Sequence, residues 1–223
     1  MPDLIINGVS SAGGGEYGKV NIDGVGTIEG DIRTELFNTN GVTKIRGNLF
    51  AEDVDSDGIL KIDGWMSVGK TIVDGHMKVA GSMKGEQFRL NGVMNIGGDF
   101  EVESLNLEGA FDISGLLNAG SIHMKLQGAG RVKEIGVEFI QVRQASRSVW
   151  SKLWQWMLPR FNPELHAGTI EGDDIDLEYT HADVVRGNRI VIGKGCSIGR
   201  VEYRTELNVH SHARIREEVK TGG

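Results

Sequence analysis

From Gly58 to Gly81 the chain reads Gly58 Ile59 Leu60 Lys61 Ile62 Asp63 Gly64 Trp65 Met66 Ser67 Val68 Gly69 Lys70 Thr71 Ile72 Val73 Asp74 Gly75 His76 Met77 Lys78 Val79 Ala80 Gly81. Gly58 returns as Gly75 and Gly64 as Gly81, each after 17 residues. Between them apolar and polar side chains alternate, which is the signature of extended backbone with opposite faces. Outward in both directions the spacing holds: one glycine column is Gly24, Gly41, Gly58, Gly75, Gly92, Gly109 and a second is Gly30, Gly47, Gly64, Gly81, Gly98, Gly115.

Two residues before the second column stands a β-branched residue in every repeat: Ile28, Ile45, Ile62, Val79, Ile96, Ile113. Two residues after it come Ile32, Leu49, Met66, Met83, Phe100 and Leu117, and a looser column runs Val20, Phe37, Val54, Thr71, Phe88, Leu105, Ile122. A unit of 17 residues is too short for a helix pair or a propeller blade. Short strands joined by glycine corners therefore wind into an all-β, single-chain parallel β-helix, a solenoid whose coils bury their inward residues against their neighbours. After Gly115 the phase slips: Gly120 belongs to neither column and Gly128 follows 13 residues after Gly115, so a shortened coil or a bulge is expected there.

The organisation follows. Residues 1–19 form an N-terminal segment, with apolar Leu4, Ile5 and Ile6 followed by the partly flexible run Gly13 to Gly15; 20–142 are coils; 143–166 are an insertion; 167–215 are C-terminal coils; 216–223 are a tail. In the C-terminal coils Ile175, Ile192 and Val209 stand 17 apart, as do Val184 with Val201 and Ile190 with Leu207.

Composition narrows the function classes. A net charge of -7 argues against nucleic acid as the main partner. A single cysteine, Cys196, leaves no internal disulfide, which suits a reducing compartment. Neither a membrane-spanning run nor a signal peptide is expected, so the reading is a cytoplasmic protein.

Several patterns carry little chemistry. Gly64 to Thr71 satisfies the phosphate-loop expression, but the next residues continue a coil rather than start a helix whose amides would face phosphate. Asp53, Asp55, Asp57 and Gly58 open like a calcium loop, yet the position for the bidentate glutamate is Gly64. His210 and His212 share a strand face without a clear third ligand, with His181 and Cys196 lying earlier. No cofactor, metal or catalytic group is expected. Ile192 to Gly199 resembles the hexapeptide repeat of left-handed β-helix acyltransferases, which gives an alternative: a trimeric acyltransferase with a histidine base, His181 or His210.

In the insertion, Ser148 is a possible N-cap and Pro159 a stop for a short amphipathic helix. Its apolar side carries Trp150, Leu153, Trp154, Trp156 and Met157, and Arg147, Lys152 and Arg160 surround it with Arg143. Tryptophan with arginine and lysine suits a helix lying in an anionic membrane interface. Packing on the solenoid and docking onto another protein are the alternatives.

The glycine-punctuated alternation and the closing stretch from Ile170 Glu171 Gly172 Asp173 Asp174 Ile175 through Thr180 His181 Ala182 Asp183 Val184 Val185 Arg186 Gly187 resemble the bactofilins, polymer-forming bacterial cytoskeletal proteins. The resemblance covers about residues 20 to 215. It implies a right-handed β-helix that assembles end to end into nonpolar filaments without nucleotide, often at the membrane, with itself or a second bactofilin as partner. The Trp-rich insertion departs from the common, shorter form and resembles the longer bactofilin-like proteins of spore-forming Gram-positive bacteria, which implies a role in motility or flagellar assembly. Physics supplies a separate reason to expect polymers, since a β-helix end exposes unpaired backbone and an apolar cross-section. The candidate polymer contacts are Leu4, Ile5 and Ile6 at one end and Val201, Tyr203, Leu207 and Val209 at the other.

Overall fold

The computed structural model describes residues 1–145 and 163–222. These form one parallel sheet wound as a β-solenoid of about 10 turns, with about 17 residues per turn. Its strands are β1 (Leu4–Arg46), β2 (Leu49–Ile62), β3 (Met66–Val79), β4 (Met83–Ile96), β5 (Phe100–Gln144), β6 (Leu165–Leu177), β7 (Thr180–Ile192), β8 (Ser197–Val209) and β9 (Arg214–Lys220). Each pairs in parallel with the next in sequence order. The helix expected over Trp150 to Leu158 lies outside the described residues.

The expected inward columns form the core. Ile28, Ile45, Ile62, Val79, Ile96 and Ile113 are all buried, and so are Phe37, Val54, Phe88, Leu105 and Ile122 in the looser column. Register is kept across four consecutive pairings, so that Gly41, Gly58, Gly75, Gly92 and Gly109 stack on one another. Between corners a coil has three flat runs. In the coil that starts at Leu49, side chains 50 and 52 point outward from the first face, 55 and 57 from the second, and 59, 61 and 63 from the third.

Corner amides that face away from the ladder are satisfied by the coil below. Asn48 N donates to Asp31 Oδ1 at 2.8 Å, Trp65 N to Asn48 Oδ1 at 2.9 Å, and Leu116 N to Asp99 Oδ1 at 2.8 Å. The Trp65 side chain offers no acceptor; it packs edge-on against Phe50, with ring centroids 4.5 Å apart.

One inward polar group has no such partner: the Ser56 hydroxyl is buried without a hydrogen bond, stacked between Thr39 and Val73. An unsatisfied buried hydroxyl costs stability. Ser56→Ala should therefore raise the unfolding free energy by about 1 kcal/mol, measured by urea denaturation.

Three expectations are corrected. The segment 1–19 is a first coil, not a partly flexible lead: Gly18 N donates to Pro2 O at 2.9 Å, and Gly14 lies so close to the backbone of Asp31 that a Cβ would sit 2.3 Å from its carbonyl oxygen. The phase slip is a lengthening, as a bulge would give, and not a shortened coil, because contacts there span 19 residues, from Gln127 to Glu108, where those just before span 17, from Ser121 to Ser104. In the C-terminal coils Ile175 pairs with Ile190 rather than Ile192, and Val185 rather than Val184 with Val201. The step from β6 to β7 is shorter, so the 17-residue spacing of Ile175 and Ile192 is a coincidence, whereas Ile190 does pair with Leu207 and Ile192 with Val209 as expected. The strands also extend into both flanks of the expected insertion, to Gln144 and from Leu165, and β9 carries order to Lys220 in the expected tail.

Candidate assembly surfaces

At the C-terminal end β9 covers only part of β8, pairing from Ser197↔Arg214 to Tyr203↔Lys220. Val201 thus lies one layer inside, fully buried opposite Glu218. Tyr203 is half-buried against the core. Beyond it the second half of β8, Arg204 to Val209, has no further coil over it among the described residues. Leu207 and Val209, the latter 45% exposed, are the apolar part of this open cross-section.

The end coil is held by a charge ladder. Arg186 bonds Glu171 at 3.0 Å and Glu202 at 2.6 Å, and Arg200 bonds Glu202 at 2.7 Å and Glu217 at 3.2 Å. The Arg186 guanidinium holds the Glu202 carboxyl below the usual range, with burial opposing it and Arg200 adding to it.

At the N-terminal end Ile6 is buried, Leu4 is half-buried, and Ile5 and Val9 are exposed at 63% and 84%. Its outer edge has no coil below it among the described residues. Leu4, Ile5, Leu207 and Val209 therefore lie at open ends, whereas Ile6 and Val201 belong to the interior. Arg147, Trp150, Lys152, Leu153, Trp154, Trp156, Met157 and Arg160 lie outside the described residues.

The flanks are electrostatically distinct. On the third face one outward column runs Lys44, Lys61, Lys78, Asn95, Asp112 in strict register. Arg131 continues it, 4.0 Å from Asp112, and then come His166, His181, Ser197 and Arg214. The His166 and His181 rings stack at 5.0 Å, with a Glu164 oxygen 3.8 Å and 3.4 Å away. Burial, with the charge of His181 second, lowers the His166 pKa. Beside this column lies an apolar one, Val42, Ile59, His76, Val93, Ala110, in which Val42 and Val93 are 38% and 42% exposed.

The other two faces are mainly acidic, although Arg33 and Lys84 stand on the first and Arg89 on the second. The first carries Glu35, Glu52, Glu86 and Glu103 at one repeat position, interrupted by Gly69; the second carries Asp55, Asp57, Asp74 and Glu108. Sequence reasoning missed this segregation, although the 17-residue period places Lys44, Lys61 and Lys78 in one row.

The patterns weighed for chemistry fall apart in space. Gly64 to Thr71 is a corner followed by β3, whose amides are spent in the ladder. Among the described residues no group of three or more His, Cys, Asp or Glu could hold a metal. The His210 and His212 rings lie 5.3 Å apart, and His210 Nδ1 accepts from His212 N at 3.1 Å. Cys196 is buried, and burial pushes its thiol up to about 11. Among the described residues no helix is long and apolar enough to cross a membrane.

No family model and no solved structure matches the chain. Two proteins of Bacillus subtilis (strain 168) are similar to part of it. The uncharacterized protein YhbF is 38% identical over 106 residues, 47% of this chain and 41% of YhbF. The uncharacterized protein YhbE is 37% identical over 106 residues, 47% of this chain and 43% of YhbE. The chain thus matches less than half the length of either relative.

Proposed function

We propose that this chain is a bactofilin-like structural scaffold that assembles with itself, end to end, without nucleotide or metal. The observation that carries this reading is the pair of ends left uncovered among the described residues: a half-coil with Leu207 and Val209, and the outer edge of the first coil. Such surfaces lower their free energy when a second copy adds the next coil, because unpaired backbone gains a ladder and apolar area leaves water. The scaffold works in the cytoplasm at the inner face of the membrane, in morphogenesis or motility, with flagellar assembly the process suggested by the family resemblance. Trp150, Trp154 and Trp156 with Arg147, Lys152 and Arg160 have the composition for the membrane contact. Many copies along a filament would make a weak single anchor firm. A second bactofilin can take the place of one copy.

Leu207→Arg places a charge in the proposed end contact, where it would be desolvated without a partner. Purified protein without nucleotide or metal should form filaments in negative stain, and the variant, at an ionic strength of about 1 M where lateral charge contacts are screened, should elute as a single chain of about 24 kDa by light scattering. Equal polymerisation of both proteins would refute the end contact.

A further inference from the structure

Beyond the end contacts, and independently of them, we propose that the basic third face is a lateral docking surface for a second copy of this chain, which it takes by the glutamate column of the neighbour's first face.

Although the protein carries a net charge of -7, its cations are not spread evenly. The column Lys44, Lys61, Lys78, Arg131 and Arg214 follows one face, with His166 and His181 between, and its one carboxylate, Asp112, is already next to Arg131. Among the described residues Lys44 is paired with Asp63 at 3.0 Å, while Lys61 and Lys78 have no carboxylate within ion-pair distance. Stacking like charges on adjacent coils is unfavourable in an isolated solenoid and becomes favourable when an opposite column covers it.

Such a column exists on the same molecule. Glu35, Glu52, Glu86 and Glu103 are exposed on the first face, as two pairs either side of Gly69, and within each pair the spacing is the same one coil, ~4.8 Å. Two solenoids set side by side with parallel axes and offset by two coils therefore bring Lys61 opposite Glu86 and Lys78 opposite Glu103 on adjacent coils, without adjustment of pitch, and leave Lys44 opposite Gly69. An anionic lipid surface offers charge but no such periodicity, which is why the second copy is favoured. Val42 and Val93 supply exposed apolar area along the same face. The contact joins different faces, so each copy retains one unused half of it and association continues unless the rotation closes a ring.

The test uses the full chain carrying Leu207→Arg, so that end contacts do not contribute. At an ionic strength of about 0.01 M, where screening reaches only beyond ~30 Å, this protein should exceed the mass of one chain in sedimentation; at about 1 M, with a screening length of ~3 Å, it should fall to one chain. Lys61→Glu with Lys78→Glu, and separately Glu86→Lys with Glu103→Lys, should each weaken association by at least about 10-fold. An equimolar mixture of the two double reversals should restore it, because the reversed third face of one then meets the reversed first face of the other. All four side chains are exposed, and circular dichroism checks that each variant keeps its sheet. A parent that stays one chain at low salt, reversals without effect, or a mixture that fails to restore association would overturn the proposal. So would unchanged association together with loss of binding to phosphatidylserine vesicles in Lys61→Glu with Lys78→Glu, since the face would then belong to a lipid surface. If Leu207→Arg still forms filaments, the end contact is wrong, and the same reversals are read as loss of lateral bundling in negative stain.

Discussion

Gly75→Ala should destabilise the protein by about 3 kcal/mol or more. Gly75 has φ 135°, where an L side chain is strained. The added Cβ would also stand 2.2 Å from the carbonyl oxygen of Gly58 on the coil below. Neither cost can be relieved alone, because the obstructing atom is backbone held in register by the ladder from Leu49↔Met66 to Ile62↔Val79. The same relation recurs up the column, with Gly92 above Gly75 at 1.9 Å from a Cβ to the carbonyl oxygen, so a shift at one coil is passed to the next. Gly13→Ala is the control: nothing lies within 4 Å of its Cβ, and it should change stability by less than about 0.5 kcal/mol. Thermal and urea denaturation followed by circular dichroism compare the two; equal stability of Gly75→Ala and the parent would show that the column tolerates a side chain.

This strictness explains why so much of the fold was legible. A period fixed by backbone contact cannot drift, so Gly24 through Gly109 and Ile28 through Ile113 announce the coils, and the residues between them fall inward or outward by alternation. Legibility fails where the coil length changes. From Leu165 the pairing offset is set by Leu165↔Thr180 and then by His181↔Ser197, and reading 17 onward from Ile175 lands on Ile192 instead of its true neighbour Ile190. Both are buried isoleucines, so the pattern alone could not choose between them. The glycine run at Gly13 to Gly15 misled in another way: it reads as loose chain, but Gly14 is needed for close approach to Asp31.

The candidate surfaces were only half legible. Apolar residues near the chain ends pointed to Leu207 and Val209, but β9 was not anticipated, and its pairing over Val201 moves the open cross-section further along β8. Net charge concealed more than it told. An acidic total of -7 is the sum of two mainly acidic faces and one basic face, and partners meet faces, not totals.

Phe100→Ala should cost about 3–5 kcal/mol, and its effect on cooperativity should be as informative as its size. Phe100 is fully buried and meets Phe88 edge to face, with centroids 5.3 Å apart. It sits at the start of β5, in the last of the regular coils, paired with Met83 below. In a solenoid each coil contacts only its neighbours, so the free energy that couples the two ends passes through every interface in turn. A cavity at Phe100 weakens one interface directly, and coils on either side of it should stop unfolding together. Hydrogen exchange in mild denaturant tests this: protection of β2 and of β7 should fall together in the parent and separate in the variant. If β2 and β7 still open as one unit after the substitution, coupling does not run coil to coil, and the nearest-neighbour picture of this solenoid fails.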